Sequence, residues 1–212
     1  NLEWIFADEL SVGDQIASPS SLKVSNVRAP CLIDYVKDNT LVRGPLIKDL
    51  FYFASKNGKN SYFAKELGIS KRKYEDLKYS KRKMPAIFVK KLLSLFPVQT
   101  QTSLNLAHNR KIPLLMTEDL MYIIGLLSGD GHLRYSHAHG TVTQIILSAS
   151  DIKIQDRYSQ AIKETFNIEI KEFSSNKNSF YFNSRPIGDL LHQLVLPYSD
   201  KSSKITVPPY AL

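Results

Sequence analysis

Ile123-Ile124-Gly125-Leu126-Leu127-Ser128-Gly129-Asp130-Gly131 is the stretch that decides how this chain is read. Thr117 before it can cap a helix, and Glu118 and Asp119 then occupy the first turn, where the helix dipole favours acids. The helix is apolar nearly all round, and its two glycines stand four apart on one face. Small residues at that spacing let two helices approach backbone to backbone, a packing best known between membrane helices. The helix ends on Asp130, an acid where the dipole prefers a cation. A divalent cation or an unfilled oxygen site nearby would make that placement tolerable. Gly131 is expected to supply a left-handed turn that stops the helix.

Outward from this helix the pattern changes period. Two strands are expected at His132–Ser136 and Thr141–Ala149, joined by a turn at His137–Gly140. A helix from Asp151 to Phe166 places Ile154, Tyr158, Ala161, Ile162 and Thr165 on one stripe. Strands Glu169–Phe173 and Ser179–Asn183 follow across a Ser-Asn-Lys-Asn turn, then a helix from Pro186 to Leu196. The second half is therefore expected to run αββαββα.

The nine residues and this order resemble the LAGLIDADG homing endonucleases over roughly 113–212. Ile124 stands where that motif has its Ala, and Ser128 where it has its first acid; the second acid is present as Asp130. The resemblance implies an α+β unit whose antiparallel, saddle-shaped sheet lies in the major groove of double-stranded DNA. It makes Gly125, Ser128 and Gly129 the interface with a second motif helix, and Arg134 and Gln144 contacts to DNA. Asp130, with Gly129 beside it, would ligate Mg²⁺, a cation that suits carboxylate oxygens and keeps most of its waters. Two such acids, one from each facing helix, would clamp metal across a scissile phosphate and activate water. The family also uses a basic residue beyond the last helix. Lys204 fits that place best and Lys201 next, and a cation there would stabilise the charge developing on the phosphate. Ser150 or Ser148 would position water. His132, His137 and His139 gather in the first hairpin, as a DNA-facing loop in preference to a metal site. One unit supplies one Asp130, so a homodimer or a second unit is needed to complete the site.

The first half carries the charge. The chain has 212 residues, 28 Lys and Arg against 20 Asp and Glu, a net charge of +8 and a single Cys. Twelve of those bases but only three of the acids fall between Lys56 and Lys91, so this block holds the whole positive excess. Such a density favours a polyanionic partner. Within it, Phe63 to Leu77 resembles a phage-repressor helix–turn–helix. Ala64 is small where the helices cross, Gly68 suits the turn, Ser70 caps the next helix, and Ile69 and Leu77 plug the core. The recognition helix would open on Lys71-Arg72-Lys73, where such helices enter the major groove. Lys78, Lys81, Arg82 and Lys83 would add phosphate contacts. Flanking helices are expected at 45–57, behind Pro45, and from Pro85 to Pro97, with a second helix from an N-cap at Ser61 to Leu67.

The expected organisation is thus a strip at 1–20, a linker or short strands at 21–44, a small all-α helix–turn–helix domain at 45–97, a polar linker at 98–112, and the α+β unit at 113–212. The strip Trp4 to Ala17 resembles the segment that precedes the endonuclease insertion in inteins. The splicing nucleophile and terminal His-Asn are missing, so the chain is read as an intein-derived endonuclease part, and its first residue, Asn1, as the start of a fragment or a processed product. A non-catalytic DNA-binding regulator, or an inert remnant, would use the same fold. The longest apolar run is too short to span a bilayer. The lone Cys31 excludes an internal disulfide framework and leaves a reducing, intracellular setting as the expectation.

Overall fold

The computed structural model describes residues 31–79, 83–96, 103–194 and 196–197. The fold is mixed α+β with small antiparallel sheets. Lys81, Arg82, Lys201, Lys204, Pro97 and the 1–20 strip lie outside the described residues.

The first half is built from α1 (Pro45–Asn57), α2 (Asn60–Leu67), α3 (Lys71–Tyr79) and α4 (Ala86–Leu95). Pro at the first position of α1 is pre-set for a helix and lacks only an N–H that would be orphaned there. Gly68 closes α2 in the left-handed conformation (φ 69°), and Ser70 Oγ accepts the Lys73 N–H at 3.2 Å. Helix α2 begins at Asn60, ahead of the expected cap at Ser61, and Lys78 Nζ donates to Asn60 Oδ1 at 3.4 Å across the pair. The aromatic that plugs this bundle is Tyr74, fully buried against Phe51 and Phe63, whereas Ile69 and Leu77 are only half-buried. The bundle is not purely helical: β1 (Leu41–Val42) pairs antiparallel with β2 (Met84–Pro85).

Neither expected linker is a plain connection. In the first, Leu32, Ile33 and Val36 are buried, the first two within a short 3₁₀ turn. In the second, β3 (Ser103–Asn105) and β4 (Lys111–Pro113) form a hairpin that buries Leu104 and Ile112. Its bend holds His108 and Asn109 at positive φ, a conformation that a search for Gly and Pro turns passes over.

In the second half, α5 (Glu118–Asp130) leads into β5 (Gly131–Ser136) and β6 (Thr141–Ser148), then α6 (Ile152–Phe166), β7 (Lys171–Phe173), β8 (Asn176–Phe182) and α7 (Arg185–Leu194). The strands form one antiparallel sheet in the order β5-β6-β8-β7. Thr117 Oγ1 caps α5 by accepting the Leu120 N–H at 3.2 Å, and Asp151 caps α6 by accepting the Lys153 N–H at 2.8 Å. Leu133, Val142, Ile145, Leu147, Phe180 and Phe182 point into the core with the buried stripes of α5, α6 and α7. The β7–β8 turn is Ser174-Ser175 instead of the polar run after it, because Phe173 pairs with Asn176 and the hairpin arm extends past the core. Helix α7 stops at Leu194; Leu196 lies beyond it, its N–H donating to Leu191 O.

Burial without a hydrogen-bond partner leaves the Tyr74 hydroxyl unsatisfied and pushes its pKa up to about 12 from 10.0. A phenol whose folded pKa lies above its unfolded value stabilises fully below the unfolded value and loses that contribution as pH rises towards the folded one. Wild-type protein should therefore lose stability from pH 10 towards 12 relative to Tyr74→Phe. At pH 7 the variant should melt at the same temperature or higher, since an unpaired buried hydroxyl costs roughly 1–3 kcal/mol. Thermal melts at both pH values check this. Tyr158 is present in both proteins, so their difference reports Tyr74 alone.

Candidate functional site

Two surfaces carry the residues singled out from the sequence. The first is the exposed flank of α5. Leu120, Ile123, Ile124 and Leu127 are buried, while Gly125, Gly129 and Asp130 are exposed and Ser128 is half-buried. Among the described residues, a Cβ built on Gly125 or Gly129 would meet nothing within 4 Å. Neither glycine is needed for side-chain packing among the described residues, yet each weakens the helix by about 0.5–1 kcal/mol relative to Ala. Gly131 is the opposite case. It is extended (φ −88°, ψ 166°), not left-handed as expected, and its added Cβ would lie 2.4 Å from Leu127 Cα. The helix passes straight into β5 with no loop, and only a residue without a side chain fits that corner. Asp130 is thereby held, exposed, at the junction of helix and sheet. At the other end of α5, Asp119 pairs with Arg157 of α6, and the guanidinium lies 5.0 Å above the Tyr122 ring. The hydrogen bond to Asp119 raises the Arg157 pKa, keeping this tie charged.

The sheet carries the neighbouring candidates. Arg134 faces Gln144 across β5 and β6, with a bulge between Arg134 and Tyr135. The row His132, Ile146, Tyr181, Lys171 crosses all four strands on the face away from the core, exposed or half-buried. Gln144 Oε1 is buried with no hydrogen-bond partner among the described residues. Ser148 Oγ lies 3.0 Å from Ser179 Oγ, and Asn176 Nδ2 donates to Ser179 at 2.9 Å, a polar cluster at the strand ends that composition did not mark. Ser150 is exposed. Among the described residues, no three His, Cys, Asp or Glu side chains gather into a metal cage, the histidines of the first hairpin included. A lone exposed carboxylate beside a helix carbonyl end offers the oxygen donors that Mg²⁺ takes while keeping its waters.

The second surface is the start of α3. Lys71, Arg72 and Lys73 are exposed and share the first turn with no acid. The macrodipole opposes cations there, so an external anion would relieve the arrangement. Among the described residues Lys71 makes a long contact to Glu75 (3.9 Å), and Lys73 lies 6.0 Å from the Phe88 ring. Lys83 is exposed, and Lys78 is half-buried beside Asn60 and the Tyr79 ring.

A charged pair with a buried acid, elsewhere in the molecule, has no local sequence signal. Asp189 on α7 is buried and accepts from Thr141 Oγ1 at 3.0 and 3.1 Å, while Lys37 Nζ stands 2.9 Å away. The residues that meet there come from distant parts of the chain.

No family model matches the chain, and no curated protein matches it.

The glycines make opposite predictions. Gly125→Ala should raise the free energy of unfolding by about 0.5–1 kcal/mol. Gly131→Ala should lower it by roughly 1–3 kcal/mol through overpacking. Urea melts of the two variants beside wild type separate them.

Proposed function

We propose that the chain is a site-specific DNA endonuclease of the LAGLIDADG homing type, intein-derived, carrying a helix–turn–helix module. The observation that carries this reading is the exposed flank of α5. Two helix-weakening glycines leave room for a side chain that no described residue fills, and the same flank ends on an exposed Asp held at a tight corner. A second motif helix, from another copy of the chain or from a further unit of the same kind, would seat on Gly125, Ser128 and Gly129. That would bring two Asp130-type carboxylates together over one phosphodiester. Bound Mg²⁺ would supply Lewis acidity and a nucleophilic water. The helix–strand order from Glu118 to Leu194 and the antiparallel sheet agree with such a unit. The outer row of that sheet, with Arg134 and Gln144, would lie against the DNA groove. Lys71, Arg72 and Lys73 would enter a neighbouring groove, with Lys78, Lys81, Arg82 and Lys83 on phosphates. Lys204, or Lys201 in its place, would stabilise charge at the cut.

Plasmid cleavage in Mg²⁺ tests the chemistry. Wild-type protein should cut both strands at a selected site, and Asp130→Asn should abolish cutting while leaving binding within about threefold, because removing a metal ligand removes chemistry more than grip. Binding without any cutting by wild-type protein would favour a DNA-binding regulator instead.

The helix–turn–helix makes a separate prediction. Replacing Lys71, Arg72 and Lys73 by Ala should weaken DNA binding and lower the slope of log K against log salt by about one for each phosphate that is no longer neutralised. A salt titration of binding reads this directly, and an unchanged slope would remove α3 from the DNA.

A further inference from the structure

Residues 31–44, which precede both DNA-facing modules in the chain, bridge them, and this segment is fastened on both sides. Toward the helix–turn–helix, Ala86 N–H donates to Thr40 O (2.8 Å), Ile87 N–H to Asp38 O (3.1 Å), and Lys90 Nζ to Asp38 Oδ1 (2.8 Å). Toward the sheet unit, Leu32 N–H donates to Leu114 O (2.7 Å) and Arg43 N–H to Asn105 O (2.9 Å). A side-chain tie to the unit is Lys37 to Asp189 at 2.9 Å.

Asp189 is the one buried acid among the described residues, its side chain 8% exposed. Thr141 Oγ1 and the Val142 N–H donate to it, so one carboxylate joins α7 to the first residues of β6. Those donors are neutral. A buried carboxylate is costly until its charge is met, and Lys37 brings the opposite charge from the joining segment. The apolar contacts of Leu32, Ile33 and Val36 hold the segment down, but apolar burial is non-directional. The Lys37 side chain is 38% exposed and borders a cleft of about 330 Å³ between the segment and the hairpin–α7 side, so packing does not lock this seam by itself. The backbone bonds of Leu32 and Arg43 pin the two ends of the segment, and the charged pair adds the side-chain tie between them, directly to α7.

We propose that Lys37 and Asp189 are positioning residues. They lock the helix–turn–helix at one distance and rotation from the sheet, so that both modules engage one duplex in fixed helical phase. This rests on the reading that both modules contact DNA.

The test has two arms. In a Cys31→Ser background, spin labels at Lys65→Cys on α2 and Lys153→Cys on α6 report the distance between modules in the free chain by pulsed electron resonance. A single narrow distribution is expected for the parent and for Lys37→Arg, and a broad one for Lys37→Glu and for Asp189→Asn. Narrow, unchanged distributions in both disruptive variants would overturn the proposal. In the second arm, about five base pairs, half a helical turn, are inserted between the two contacted regions of a selected target. Parent protein should lose affinity by about tenfold or more and Lys37→Glu by less than about threefold, because only a fixed geometry makes the second contact depend on phase. Equal losses in parent and variant would also overturn the proposal. A broadened distance in the variants, with no DNA bound by any form, would support the lock and sink the DNA reading.

Discussion

The unit built around α5 depends on one close approach. Gly131 lies so near Leu127 that a methyl group there would overlap the helix backbone. Because it carries none, α5 turns into β5 without an intervening loop. Thr117 fixes the other end of the helix, and the Asp119–Arg157 pair ties it to α6. The buried stripe Leu120, Ile123, Ile124 and Leu127 then settles the rotation of the helix about its axis. What remains outward, Gly125, Gly129 and Asp130, is a consequence of that rotation and that corner.

Both proposed working surfaces break a local rule in the same way. Helix α5 ends on an acid, and α3 begins on three cations; the dipole opposes each. Local preference fails where something outside the fold is meant to complete it. Bulk charge points only to one of these places. The excess of bases lies in the block 56–91, while 113–212 is close to neutral. The acid that would do chemistry sits in the half with no basic excess, where the proposed polyanion would be approached by a sheet instead of a charged helix.

Much of this was legible in the residues. Pro45, Gly68, Thr117 and Asp151 mark helix ends through chemistry that acts within a few residues, and the structure puts ends there. The first hairpin lies within a residue of its expected limits because its apolar alternation is regular. Features set by distant partners were not legible. Gly131 looked like a left-handed stop, since nothing local shows that the strand starts at once. The 103–113 hairpin hid behind polar residues and a bend made by His108 and Asn109. Tyr74 on a strongly basic helix gave no hint that it, and not Leu77, fills the bundle. Lys37 and Asp189 meet only because the fold brings them together.

The most direct measurement is DNA strand cleavage by Gly125→Leu in Mg²⁺, read beside its melting temperature. The space left around position 125 by the described residues means the larger side chain should not disturb their packing, so the melting temperature should hold or rise. The same side chain would block a facing helix, so cutting should be lost. Cutting at the wild-type rate would contradict the account, because the exposed flank of α5 would then have no part in building the site.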